Sequence, residues 1–272
     1  MGKLSILFFC LFASTAVKAA GDTTFKYVVE KTISGNFTNF YTDNFGNIFL
    51  LSKNNQVKKL NAQYDSAGVF NDVRRYGDIS LLDVSNPMKI AVYYKDFSTL
   101  LIADRFLNIR NTIDLRNAGI LQAKAVAQSY DNNYWVFDEL DNALKKIDDK
   151  GNILLQSPDF RILLQEAFRP TCIIDAESQL YICDENKGCL VFDYYGTYKK
   201  LIPFKGRQNI QIANATINST DSSFFYTYNM ATFNETKITS PIALAGAIKV
   251  QMAMNKLYVL TQSGLTIYSA GK

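Results

Sequence analysis

The sequence predicts an all-β fold built from one repeated four-strand unit, and three observations predict it. A block of turn residues, a short apolar strand, a polar kink and a second apolar strand returns several times along the chain. Its copies recur at a period of roughly 40 residues, the spacing of propeller blades. The 272 residues include 19 Phe and 16 Tyr but only 5 Pro, a composition suited to strands. Together these predict a single β-propeller, with six four-stranded blades.

Each unit is justified by its own residues. Asp43-Asn44-Phe45-Gly46-Asn47 leads into Ile48-Phe49-Leu50-Leu51, and then Gln56 to Asn61. The second unit is Lys89 to Tyr94 followed by Leu100 to Asp104. The third runs from Asp131-Asn132-Asn133 through Tyr134-Trp135-Val136-Phe137-Asp138 to Ala143–Asp148, and the fourth from Glu177 through Tyr181 to Cys189–Asp193. Anchors at Phe49, Val92, Trp135, Tyr181, Ile217 and Tyr258 are spaced by 43, 43, 46, 36 and 41 residues, which makes six units. The fifth is the weakest, because an Asn-Ser-Thr-Asp-Ser-Ser run divides it. The sixth ends at the C-terminus before an outer strand can form. Thr24 to Ile33 is strand-like and lies outside every complete unit, so it is predicted to close the last blade and remove two open edges.

One segment departs from the strand pattern. Asp159 to Phe168 carries apolar residues at helical spacing and predicts a short inter-blade helix ended by Pro170. Arg116 to Ala127 reads as a loop with one turn of helix.

Residues 1–19 read as a secretory signal peptide. Lys3 is followed by an apolar run from Leu4 to Val17 and by the small-residue pattern Val17-Lys18-Ala19. The apolar run is too short for a membrane span, and residues 20–272 form the propeller domain. Loss of Lys3 and Lys18 takes the formal charge from +4 to +2, with no basic stripe for nucleic acid. Three cysteines remain, Cys172, Cys183 and Cys189. An odd count leaves at least one thiol unpaired, and Cys183 and Cys189 fall on the two arms of one predicted hairpin. Core or half-buried thiols are expected rather than a disulfide framework.

The chain contains no histidine. That removes Ser-His and Cys-His nucleophile pairs, His proton transfer and His-bound metals. No enzyme activity and no cofactor are therefore expected. The carboxylates Asp83, Asp96, Asp104, Asp131, Asp138, Asp184 and Asp193 fall at strand ends or turns. Their recurrence in equivalent positions argues for turn-setting, since a catalytic group is needed once and a turn residue in every blade. Trp135 is read as a core residue. Neighbouring rings in Tyr93-Tyr94 and Tyr194-Tyr195 point to opposite faces, so one of each pair is expected to be exposed to a protein partner. Asn36, Asn214, Asn218 and Asn234 head N-glycosylation triplets that an Asn- and Thr-rich chain also produces by chance.

Three blocks carry a family resemblance. They are Asp83-Val84-Ser85-Asn86-Pro87-Met88-Lys89-Ile90 continuing to Tyr94-Lys95-Asp96-Phe97, then Ser129-Tyr130-Asp131-Asn132 with Trp135-Val136-Phe137-Asp138, and Val191 to Tyr198. Over about Phe40 to Phe204 the chain resembles a family of exported propeller proteins from Bacteroidota, to which the periplasmic plug subunit of the type IX secretion translocon is similar. The resemblance implies a periplasmic protein that binds a large outer-membrane β-barrel and caps its inner end, as a monomer within a complex. It carries over no catalytic residue. Asp65-Ser66-Ala67 and Asp22-Thr23-Thr24 look like the O-glycosylation acceptor of that phylum.

Two function classes follow. The first is a non-enzymatic, periplasmic protein-binding propeller that docks on or plugs a secretion channel. The second is a lactonase-like enzyme or glycan receptor with an acidic, calcium-holding central channel. A scaffold for a periplasmic regulator is indistinguishable from the first at this level. For docking, the candidate loop residues are Asp83, Asn86, Pro87, Tyr94, Lys95, Asp96 and Phe97, where Pro87 restricts Asn86 to an extended conformation.

Overall fold

The computed structural model describes residues 26–71, 73–207 and 209–271. The expected export signal over residues 1–19, and the Asp22-Thr23-Thr24 triplet, lie outside these residues. Six four-stranded antiparallel sheets form a ring, a six-bladed β-propeller.

Blades 1 to 5 each run from an inner to an outer strand in chain order. Their inner strands are Phe37–Thr42, Leu81–Asp83, Ala123–Gln128, Cys172–Ala176 and Gln211–Ala213. Blade 6 begins with Lys249–Ala253, Lys256–Thr261 and Gly264–Ala270 and is completed by Tyr27–Ser34 from the other end of the chain. The predicted closure is therefore present. Tyr27 lies opposite Ala270 and Ser34 opposite Gly264. Lys256 Nζ fixes it further, 2.6 Å from Glu30 Oε1 and 2.8 Å from the Tyr64 hydroxyl of blade 1.

The core is a set of layers between blades. Phe49, Val92, Tyr94 and Leu101 join blades 1 and 2. Trp135, Phe137, Phe160, Ile182 and Phe192 join blades 3 and 4. The middle strands are buried on both faces because each blade is covered by two neighbours. For this reason Tyr93 and Tyr94 point to opposite faces, as expected, yet neither is exposed: they are buried at 3% and 0% exposure. Tyr195 meets the expectation for its pair, at 85% exposure.

The fifth blade is complete. The polar run that divides it in sequence supplies Asn218 to Thr220 to the strand Thr216–Thr220 and leaves Asp221 to Ser223 as a hairpin turn. The inter-blade helix is shorter than expected, covering Phe160–Leu164. Gln165 adopts a left-handed backbone with φ 59° and stops it. Downstream, the Asn142 side chain grips the Phe168 backbone, donating to its carbonyl at 2.9 Å and accepting from its amide at 3.1 Å. Within Arg116–Ala127 the chain begins with a tight turn, where the Ala118 and Gly119 amides donate to the Leu115 and Arg116 carbonyls at 3.1 Å and 2.9 Å, and Ala123 onward is the inner strand of blade 3. A four-residue helix, Val73–Tyr76, was not anticipated. Cys183 and Cys189, directly opposite each other across one hairpin, form a disulfide, and Cys172 is a free thiol opposite Cys183.

Candidate functional site

Antiparallel blades give the disc two distinct faces. The turns after the first and third strands of every blade open onto one face. The turns after the second strand, and the connections between blades, open onto the other.

The first face carries a ring of exposed apolar tips. Phe45 of blade 1 is 61% exposed, Phe106 of blade 2 is 57% and Tyr195 of blade 4 is 85%. Met88, Tyr130, Phe233 and Met254 continue the ring on blades 2, 3, 5 and 6. Among the described residues, seven of the nine exposed Phe, Tyr and Met side chains lie on turns of this one face. Tyr130 stacks on Tyr194, with ring centroids 4.1 Å apart.

Local sequence explains why the tips stand out. Asp43 Oδ1 accepts from the amides of Phe45 and Asn47, both at 2.9 Å. Asp104 Oδ1 accepts from Phe106 at 2.8 Å and Asn108 at 3.0 Å. Asp193 Oδ1 accepts from Tyr195 at 3.0 Å and Thr197 at 2.9 Å. In each five-residue turn the fourth residue is left-handed: Gly46 at φ 79°, Leu107 at 68° and Gly196 at 77°. The side chain of the aspartate thus ties the turn from within and leaves the third residue, the aromatic one, at its apex. Lys199, together with the Thr197 amide, holds the Asp193 carboxyl below the usual carboxylate range. Asp83, Asp131, Asp138 and Asp184 also accept from nearby turn amides, at Ser85, Asn133, Leu140 and Asn186.

The structure does not bring the seven sequence-selected residues together. Asp83, Asn86 and Pro87 precede the strand Lys89–Tyr94, whereas Lys95, Asp96 and Phe97 follow it. The segments therefore open onto opposite faces, about 17 Å apart by strand rise. Tyr94 is fully buried and Pro87 is buried, so neither presents a contact surface. Asp83 is occupied by Ser85 and Gln128, whose amides donate at 2.9 Å and 2.6 Å. Lys95, Asp96 and Phe97 are exposed, with Phe97 at 45%. Sequence reasoning missed Phe45 and Phe106, and expected an exposed ring at Tyr194-Tyr195 without joining Tyr195 to them. Their signal is Asp-x-aromatic-x-Asn/Thr, legible at 43–47, 104–108 and 193–197.

The inner strands enclose a central channel of about 570 Å³. Its lining includes Leu82, Val126, Ile174 and Ile210, the carboxylates Asp83, Asp175 and Glu185, and the cations Arg207 and Lys249. The channel is thus of mixed charge rather than acidic. Asp175 accepts from the Tyr130 amide at 3.3 Å, Trp135 Nε1 at 3.3 Å and the Tyr194 hydroxyl at 2.7 Å. Among the described residues no group of three or more Cys, Asp or Glu side chains is arranged to hold a metal ion, and no helix is long and apolar enough to cross a membrane.

No protein-family model and no curated protein match the chain. Solved structures do match in fold. A streptogramin B lyase structure shares 12% identity at a TM-score of 0.60, covering 90% of this chain and 98% of that one. The virginiamycin B lyase of Staphylococcus aureus shares 14% at 0.58, covering 88% of each. The WD40 domain of Neurospora crassa Pan2 shares 11% at 0.61, covering 91% of this chain and 82% of that one. These neighbours place the chain in the β-propeller fold, which hosts both enzymes and protein-interaction domains.

Proposed function

We propose that this protein is a non-enzymatic, periplasmic protein-binding propeller that docks on a large outer-membrane β-barrel and plugs it, as the plug subunit of a type IX secretion system does. The observation that carries this reading is the one-sided ring of aromatic and methionine tips, of which Phe45, Phe106 and Tyr195 stand on turns tied by aspartate. Aromatic and methionine side chains are enriched at protein interfaces, and a cluster of them on one face of a soluble domain marks a contact surface. Turns already fixed by their own hydrogen bonds lose little freedom on binding.

Two further points support the reading. A histidine-to-alanine form of the virginiamycin B lyase is described as catalytically inactive, and this chain has no histidine at all. The choice of partner rests on the resemblance carried by the Asp83–Phe97, Ser129–Asp138 and Val191–Tyr198 blocks. Export to the periplasm rests on the signal-like residues 1–19.

Affinity purification of a tagged copy from gently solubilised envelopes tests the reading. Near-stoichiometric recovery of a very large outer-membrane β-barrel is expected. Recovery of the propeller alone would overturn it in favour of a soluble ligand-binding role.

A further inference from the structure

The central channel holds a cation that, among the described residues, has one donor to spare. Lys249 opens the inner strand of blade 6 and reaches across to blade 1. Its Nζ donates to Phe40 O at 2.7 Å and to Asn39 Oδ1 at 3.0 Å. Both acceptors are neutral, and an ammonium carries three donors. The Tyr41 ring centroid lies 4.3 Å away and that of Phe40 5.1 Å away. Among the described residues this half-buried cation donates only to neutral groups, and a desolvated cation is costly unless an anion joins it. Burial accordingly pulls the Lys249 pKa down to about 8.

A second donor in the same channel is under-used. Arg207 lies in the connection between blades 4 and 5. It pairs with Glu235 at 2.7 Å and lays its guanidinium 3.7 Å from the Tyr226 ring centroid. Its Nε is buried without a hydrogen-bond partner among the described residues. By contrast the two inward aspartates are occupied. Asp83 takes the Gln128 and Ser85 amides, and Asp175 takes Trp135, Tyr194 and the Tyr130 amide. Cationic donors therefore have capacity for a guest, whereas these carboxylates are already served by the protein. Between them stand apolar walls, Val126, Ile174 and Ile210 among them. The channel volume of about 570 Å³ falls in the range of small-molecule sites.

We propose that the central channel is a binding site for a small organic anion with an apolar body, its carboxylate or phosphate oxygen accepting the third proton of Lys249 Nζ. Such a guest holds Lys249 in its charged form, so affinity falls as pH rises through about 8. Tyr41, pushed up to about 12 by burial, and Cys172, pushed up to about 11, stay neutral in that window. The remaining charged groups that line the channel are Asp83, Asp175, Glu185 and Arg207.

Isothermal titration calorimetry with benzoate and phenyl phosphate, and with benzyl alcohol as the uncharged control, tests the site. Saturable binding of at least one anion and none of the alcohol is expected. Affinity should drop about tenfold or more in Lys249→Met and on moving from about pH 6.5 to about pH 9.5. Absence of saturable binding, equal binding of the alcohol, or unchanged affinity in Lys249→Met would overturn the proposal. Should that variant not fold, the ¹⁵N resonance of Lys249 Nζ in the unaltered protein decides. A pKa raised by the anion supports the site, and an unmoved pKa contradicts it. The inference is independent of the docking face, which lies on the turns of the disc, so failure of one leaves the other standing.

Discussion

Gly264 and Ile33 approach so closely across the closing strand pair that a Cβ on Gly264 would lie 2.2 Å from the Ile33 carbonyl oxygen. Gly264 also holds a positive φ of 141°, which side-chain-bearing residues rarely adopt. This contact joins the two ends of the chain and completes blade 6. Gly264→Ala should therefore destabilise the domain by about 2–4 kcal/mol, read from urea unfolding, through clash and backbone strain together. Deleting residues 21–34 should go further and abolish the cooperative melt, because the strand Gly264–Ala270 would lose its partner. A deletion that melts near the original temperature would contradict the closure.

Phe160 anchors the joint between blades 3 and 4. It stacks on Phe192 with ring centroids 5.2 Å apart, and meets Phe137 edge-on at 5.3 Å and Phe168 at 6.0 Å. It is fully buried although its helix has only five residues. Phe160→Ala should cost about 3–5 kcal/mol, the range for a large ring removed from a packed core. The neighbouring Ile162→Ser, at a residue 78% exposed, should leave stability within about 0.5 kcal/mol.

The Lys249 pKa has a sign that stability measurements can read. Burial lowers it in the folded chain to about 8 from the ordinary 10.5. Between those two values the unfolded chain binds a proton that the folded chain has released. Stability contributed by this site should therefore rise as pH increases from about 8 toward 10. Other lysines and tyrosines titrate nearby, so the informative quantity is the difference between the unaltered protein and Lys249→Met. That difference should move with pH above about 8 and stay flat between about pH 6 and 7.

Cys172 should resist modification while the domain is folded. Burial pushes its thiol up to about 11, so little thiolate exists at neutral pH. Iodoacetamide at about pH 8 should label it much more slowly in the folded than in the urea-unfolded protein. With Cys183 and Cys189 joined in a disulfide, mass spectrometry of non-reduced, unfolded protein should find one alkylated site among residues 20–272. Three would contradict the cross-link. Reducing it should lower stability by about 2 kcal/mol, given the short loop it closes.

The fold was legible in the sequence because every blade repeats the same local decision. Anchors from Phe49 to Tyr258 sit in the second strands, and many of the turns between carry Asn or Gly at a left-handed residue, as at Gly46, Asn132, Asn142 and Gly196, although Tyr64, Leu107 and Met254 fill such positions elsewhere. Inner strands were harder to read. Ala123–Gln128 is rich in alanine, and its strand character comes from pairing with Tyr134–Asp138 rather than from its own residues. The face that carries the apolar tips was hidden for another reason. Which end of a strand faces which side of the disc depends on the ring, so Asp83–Pro87 and Tyr94–Phe97, close in sequence, point apart in space. The burial of Tyr94 likewise follows from a neighbouring blade that alternation along one strand cannot reveal. Conversely, Phe45, Phe106 and Tyr195 are far apart in the chain, yet one turn chemistry places all three on the same side.

The most direct measurement of the docking account compares two tagged proteins purified from the same gently solubilised envelopes. One is the unaltered chain and the other carries Phe45→Ser, Phe106→Ser and Tyr195→Ser. The three changes lie at exposed tips and should leave the melting temperature within a few degrees. The account predicts that a large outer-membrane β-barrel accompanies the unaltered chain and is reduced about tenfold or more with the triple variant. Equal recovery with both, or recovery of no such partner with either, would contradict it.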